Sequence, residues 1–310
     1  MVDSPEGLRP GADLQGWFGS QLEGIELASN ITMSMLDPLI DSSEATPEDW
    51  QAIIDDINAH TDEADAFLVL HGTDTMAYSA AALSYALASM GKPVVLTGAM
   101  RPATALSADG PLNIFDAVCL AASPAAHGQG VLVTLNGDIH SARDMEKVHT
   151  TAVQAFASPD VGVLGRMEDG TPHFRRRVLT RHTRESEFDL AGVTALPYVP
   201  ILYGHAGADV RLARAAIESG AAGIVHAGTG NGSIHEALLA TLAAAAGKGI
   251  GVVRASRTGA GAVLFAESAY AEAGFIDADT LPPAKARILL ALALLKTNDR
   301  DEIRRMFHEY

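Results

Sequence analysis

The sequence predicts an α/β protein with a parallel, doubly wound sheet followed by a second, smaller α/β domain. From about Phe67 onward, short β-rich runs alternate with longer Ala/Leu-rich segments, the βαβα order of such a sheet. The runs are apolar throughout and not alternating, as in strands covered by helices on both faces. The length, 310 residues, exceeds one ordinary domain of roughly 100–150 residues and suits two.

Each element has its own signal. The chain opens in a Pro/Gly-rich, turn-like segment, Met1 to Gly7, and not in a strand. Phe67-Leu68-Val69-Leu70 is a strand that ends in the loop His71-Gly72-Thr73-Asp74-Thr75. A helix is expected over Met76–Met90, stopped by Gly91 and Pro93. Val94–Leu96 is the next strand, followed by the loop Gly98–Pro111, a helix around Leu112–Ala122 and the strand Val131–Leu135. The stretch Arg175–Leu196 breaks this rhythm and reads as an irregular edge element leading into a linker. Its five arginines (Arg175, Arg176, Arg177, Arg181, Arg184) stand beside Glu185, Glu187 and Asp189. A salt-paired surface is favoured over a phosphate site, because no aromatics interleave the cluster.

After Pro200 the rhythm restarts with Ile201–Tyr203, a helix Val210–Ser219, the strand Gly223–His226, the loop Ala227–Gly232, a helix Ser233–Ala246 and the strand Gly251–Arg254. Two helices close the chain, Pro283–Leu295 and Asn298–Phe307, the second with Asn298 as its expected N-cap. The expected division is therefore residues 1–188 for the first domain, 189–199 for the linker and 200–310 for the second domain.

Composition excludes several classes. Apolar residues are 48% and charged residues 19%, which is a folding chain. With 22 Lys plus Arg against 38 Asp plus Glu, the formal charge is −16, which disfavours nucleic acid and anionic membrane surfaces as partners. No apolar stretch approaches the about 20 residues a bilayer span requires. The N-terminus has neither a basic nor an apolar leader region, so a cytoplasmic location is expected. Cys119 is the single cysteine, and the eleven histidines form no His-Glu-x-x-His. Gly228-Thr229-Gly230-Asn231-Gly232 lacks the third-glycine spacing of a dinucleotide loop, and neither a Gly-x-Ser-x-Gly elbow nor a phosphate-binding Gly-Lys-Ser/Thr loop occurs. These patterns disfavour metal catalysis and dinucleotide binding.

The strongest local signal is His71-Gly72-Thr73-Asp74-Thr75-Met76 at a strand end and helix start, where open parallel sheets bind ligands. There the helix N-terminus offers free N–H groups. Thr and Asp at this place suit a reactive hydroxyl with a carboxylate, and equally suit helix capping. Gly98-Ala99-Met100-Arg101-Pro102 with Ser107–Asn113 forms a long loop at the corresponding end of the next strand. Ala142–Lys147 follows the third strand, and a Lys reaching the Thr–Asp pair would tune or relay its proton.

Together, His71–Met76, Gly98–Pro102, Ser107–Asn113 and Gly228–Gly232 resemble the bacterial L-asparaginases of the asparaginase/glutaminase family, over about Glu6 to Tyr310. The resemblance implies a flavodoxin-like N-terminal domain, a smaller α/β C-terminal domain and a homotetramer built as a dimer of dimers. It implies hydrolysis of the side-chain amide of L-asparagine, and often of L-glutamine, to the acid and ammonia, without metal or cofactor. Thr73, Asp74 and Lys147 match the family's hydrogen-bonded Thr–Lys–Asp set, with Asp74 also holding the substrate ammonium. Ser42 and Ser43 match the pair that binds the substrate's α-carboxylate and α-amine. Many members have Gln or Glu at the second place, which makes Ser43 a weaker hold. Gly72 and the backbone of Ala99 match the amide pocket. Ser233 and Glu267 match positions that reach the neighbouring subunit's site, and Ser233 stands where many members carry Asn.

One departure is large. The family's opening strand and its Thr-Gly-Gly-Thr-Ile motif, whose first threonine is generally taken as the primary nucleophile, do not occur in this sequence. The place of the family's mobile-loop tyrosine falls near Leu8. Without that strand its two sheet neighbours would lose ladder partners, at roughly 1–3 kcal/mol for each buried group left unpaired. The expectation is that Met1 is an internal methionine of a longer natural chain; upstream DNA lacking those codons in frame would refute this. The sequence by itself is thus expected to give weak or no ammonia release, and family-level rates from the mass-verified chain would overturn that. Two alternatives follow: a glutamine-using amidotransferase subunit, which lacks its extra N-terminal domain here, and an inactive asparaginase-like protein that binds Asn or Asp as a sensor or assembly partner.

Overall fold

A computed structural model describes residues 2–4, 7–9, 30–88, 90–190, 192–264 and 267–310. The chain divides into two compact units, Met1–Ala191 and Gly192–Tyr310.

The opening segment, expected as a turn, pairs with itself: β1 (Val2–Ser4) and β2 (Gly7–Arg9) are antiparallel, with Val2 opposite Arg9. Leu8 lies in β2, and the segment after it, residues 10–29, falls outside the described residues. A short 3-10 turn, Ser42–Glu44, precedes α1 (Pro47–Ala59). The Asp49 carboxylate accepts from the Thr46 N–H at 2.7 Å and from its hydroxyl at 2.8 Å, and Pro47 occupies the first turn, so the helix start is closed by its own residues.

The first unit's main sheet begins with β3 (Phe67–Leu70), α2 (Met76–Ala86), β4 (Val94–Thr97), α3 (Gly110–Ala121) and β5 (Val131–Leu135). β3, β4 and β5 are parallel, with Leu68 beside Val95 and Val95 beside Leu132. Every residue of β4 and β5 is buried, as their unbroken apolar runs require. α2 is buried nearly all round, and the Trp50 indole N–H of α1 donates to Ser79 within it at 2.9 Å. It stops at Ala86, short of the expected Met90. Leu87 leaves helical backbone at ψ 64 and is 0% exposed, so core packing overrides the stop signals further on.

The sheet then departs from the all-parallel expectation. β6 (Asp138–Ser141), β9 (Gly165–Glu168) and β10 (Thr171–Phe174) extend it antiparallel, giving the order β10-β9-β6-β5-β4-β3, and β7 (Glu146–Lys147) and β8 (Phe156–Ala157) pair separately. The cause is local. Asn136-Gly137, at φ 51° and 76°, and Asp169-Gly170, at 48° and 72°, are left-handed pairs that fold strands back on themselves. The expected irregular edge from Arg175 therefore begins only after a regular strand. Within it Arg181 pairs with Glu187 at 2.9 Å.

The second unit contains β11 (Ile201–Tyr203), α4 (Arg211–Glu218), β12 (Gly223–Gly228), α5 (Glu236–Gly247), β13 (Gly251–Ser256), α6 (Ser268–Glu272), β14 (Ile276–Asp277), α7 (Pro283–Lys296) and α8 (Arg300–Glu309). Its four described strands are parallel and in chain order. Leu202, Ile224 and Val252 join Ala213, Ala216 and Leu242 in a core on one face, while α7 lies against β12 and β13. The expected cap Asn298 is corrected to Asp299, whose carboxylate accepts from the N–H groups of Asp301 and Glu302. One residue further on, the carboxylate reaches two free N–H groups. No described helix is long and apolar enough to cross a membrane.

Candidate active site

The loop that follows β3 carries His71 to Thr75 and sits at the carboxyl end of a parallel strand. Its sequence left two uses open for Thr73 and Asp74. The N-cap of α2 is Thr75, whose own side chain makes no capping hydrogen bond. Asp74 instead meets Lys147, which arrives on β7 from 73 residues away: Lys147 Nζ donates to Asp74 Oδ1 at 2.6 Å and to Thr73 Oγ1 at 3.1 Å. The Lys147 side chain is 18% exposed and that of Asp74 60%, so the pair spans from a half-dry interior to the solvent. An ammonium donating to a hydroxyl oxygen favours negative charge building on that oxygen.

Ser42 joins the group from the 3-10 turn. It is buried, its hydroxyl oxygen accepts from the Asp74 N–H at 3.2 Å, and its carbonyl accepts from the Thr75 hydroxyl at 2.5 Å. Gly72 makes this approach possible: a Cβ there would lie 2.5 Å from Ser42 Oγ and 2.7 Å from Ser42 Cβ. Ser43 points its hydroxyl to Asp41 Oδ1 at 2.8 Å, and its N–H donates to the same oxygen at 2.9 Å. The N–H, then the hydroxyl, hold the Asp41 carboxyl below its ordinary value. His71 Nδ1 lies 2.7 Å from the Gly72 carbonyl, and burial pushes the imidazole's pKa down.

Ala99 is half-buried on the loop after β4. Asp109 fixes this loop, accepting from the N–H groups of Met100 and Arg101 at 2.9 Å each, while Asn113 donates to the Gly98 carbonyl at 2.9 Å. Asn113 also accepts from the Asn136 N–H at 2.9 Å and so ties the loops after β4 and β5 together. Asp41, Thr75, Asp109 and Asn113 therefore support the site residues without having been singled out for it. For Thr75, Asp109 and Asn113 the signal was present, as they lie inside the His71–Met76 and Ser107–Asn113 motifs.

Ser233 and Glu267 are in the second unit, and both are exposed. Ser233 closes a tight loop with Thr229, and Glu267 precedes α6, accepting from the Tyr270 hydroxyl at 3.5 Å. Among the described residues no group of three His, Cys, Asp or Glu side chains is placed to hold a metal ion.

Comparison with known proteins agrees in both units. The family model for the asparaginase N-terminal domain matches residues 3–180, and that for the glutaminase/asparaginase C-terminal domain matches residues 198–307. L-asparaginase 2 of Escherichia coli (strain K12) is 41% identical over 272 residues, 87% of this chain and 78% of that protein. The glutaminase-asparaginase of Pseudomonas fluorescens biotype A is 40% identical over 254 residues, 81% of this chain and 70% of that protein. The crystal structure described as "Probable Cytoplasmic L-asparaginase from Campylobacter jejuni" superposes with a TM-score of 0.85 at 43% identity, covering 87% of this chain and 86% of that one.

Proposed function

The chain belongs to the asparaginase family, and on that premise we propose that Thr73, Lys147 and Asp74 are the reacting centre of its amidohydrolase activity, which converts L-asparagine and water to L-aspartate and ammonia. The observation that carries this is the single Lys147 ammonium within hydrogen-bond reach of both the Thr73 hydroxyl and the Asp74 carboxylate. Thr73 is the threonine of this set, as nucleophile or as the hydroxyl that activates water. In an acyl transfer its Oγ bonds to the amide carbon and the C–N bond breaks. The hydroxyl proton leaves with the amide nitrogen as ammonia, and water then cleaves the ester to aspartate and free Thr73. Lys147 stabilises the oxygen as charge builds, and loop N–H groups at the strand ends would receive the carbonyl oxygen's charge. In the alternative, Thr73 activates water with the same partners.

Asp74, Ser42 and Ser43 are assigned to the α-ammonium and α-carboxylate, with Gly72 and Ala99 along the amide. Glutamine is proposed as a second substrate, supported by the glutaminase-asparaginase relative. Ser233 and Glu267 are proposed to complete the site of a neighbouring protomer in a homotetramer. A cytoplasmic location accords with the Campylobacter jejuni neighbour, described as a probable cytoplasmic L-asparaginase. An inactive binder has no need of a lysine aimed at the Thr73 hydroxyl, and no observation favours that reading.

The test is ammonia release from L-asparagine and L-glutamine by this chain and three variants. Thr73→Ala and Lys147→Met are expected to lower kcat by roughly 10²–10⁴-fold, while Thr73→Ser retains activity. Full activity in Lys147→Met would refute the assignment.

A further inference from the structure

Arg254, on β13, is 1% exposed, a burial rare for arginine unless it is paired. In the ladder it lies between His226 of β12 and Asp277 of β14. Its Nε and Nη2 both donate to Asp277 Oδ1, at 2.9 and 2.6 Å. The rest of the guanidinium serves backbone and ring. Nη2 donates to the Leu264 carbonyl at 3.1 Å, Nη1 to the Asn231 carbonyl at 3.4 Å, and the guanidinium carbon sits 4.3 Å over the Tyr270 ring. Tyr270 in turn accepts from the Ile234 N–H at 3.2 Å and donates to Glu267. The Asn231 amide bonds both the N–H and the carbonyl of Leu264. One planar cation therefore ties β14, α6 and the loop that ends in Ser233.

We infer that Arg254 and Asp277, acting through Tyr270, are positioning residues that hold Ser233 and Glu267 in the geometry that fits substrate and sets the choice between L-asparagine and L-glutamine. The inference rests on the reading above that Ser233 and Glu267 contact substrate in a neighbouring protomer. Ser233 follows the Asn231 carbonyl by two residues and precedes Ile234, whose N–H is held by Tyr270. Glu267 shares the same hydroxyl. Both ends of this arrangement thus depend on where the Tyr270 ring lies, and the ring lies where Arg254 stacks on it. A pair that merely stabilised the fold would change melting temperature and the fraction of active protein, but not KM or the ratio of the two substrates.

The experiment uses steady-state kinetics with both amides on Tyr270→Phe and Asp277→Asn, alongside Glu267→Ala and Ser233→Ala. Tyr270→Phe keeps the ring beneath Arg254 and removes only the hydroxyl, so it remains informative if Asp277→Asn fails to fold. Tyr270→Phe is expected to raise KM for L-asparagine roughly three- to tenfold with kcat within about twofold, and to change the asparagine-to-glutamine ratio of kcat/KM. Asp277→Asn moves the same way and Asp277→Glu restores part of the loss. Unchanged KM and ratio in Tyr270→Phe, while Glu267→Ala shifts KM, would overturn the positioning role alone. Unchanged KM in both Glu267→Ala and Ser233→Ala would overturn the reading beneath it, and the proposal with it.

Discussion

At the residue scale the site depends on close approach. Thr73 and Asp74 read from sequence as either a reactive pair or helix caps, and neighbouring residues do not decide between the two. The third dimension supplies Lys147 on a different strand, and the cap position falls to Thr75. Gly72 was legible only as part of a motif, yet its reason is steric, since a side chain there meets Ser42. Gly72→Ala is therefore expected to push Ser42 from its hydrogen bond to Asp74. KM should rise by about tenfold or more, the equivalent of losing one or two hydrogen bonds. The melting temperature should fall as well, because the displaced Ser42 is buried. Kinetics and a thermal melt on the same sample check both parts, and an unaltered KM would contradict the account of this glycine.

At the scale of elements, the apolar runs announced β3, β4 and β5 because two-sided burial leaves a simple pattern. β6 and β10 also had their signals, the Asn-Gly and Asp-Gly turns, which lie outside the βαβ rhythm and make those strands antiparallel. α3 carries a further prediction. Asp116 is 5% exposed, and burial raises its pKa from 3.8 to about 6. Between those values the folded state holds a proton that the unfolded chain has lost, so this group weakens the fold as pH rises, fully above pH 6. Asp116→Asn is expected to stabilise the protein at pH 7 by up to about 3 kcal/mol, the gain vanishing near pH 4. Denaturant midpoints at the two pH values measure it, and equal effects at both would contradict the burial argument.

For the molecule as a whole, acidity of −16 governs solubility and long-range charge, while single buried groups govern pH response. His226 is 1% exposed, its ring nitrogens have no hydrogen-bond partner among the described residues, and burial, then Arg254, lower its pKa from 6.5 to about 4. Here the unfolded chain takes up a proton that the folded one refuses. Stability is full above pH 6.5 and falls as pH drops toward 4, by roughly 3 kcal/mol in total. His226→Gln should remove this slope, so the stability gap between the two proteins should shrink between pH 7 and 4.5; a constant gap would refute it. The sequence by itself determined the α/β class, the order of buried strands, the smaller second domain and the family, because these are carried by short-range period, turn residues and contiguous motifs. Only the tertiary structure decided that the first sheet is mixed, that Lys147 reaches Thr73 across 74 residues, and that Arg254 gathers three segments. Those outcomes depend on strand register and on which side chains lose their water together, and no run of neighbouring residues encodes either.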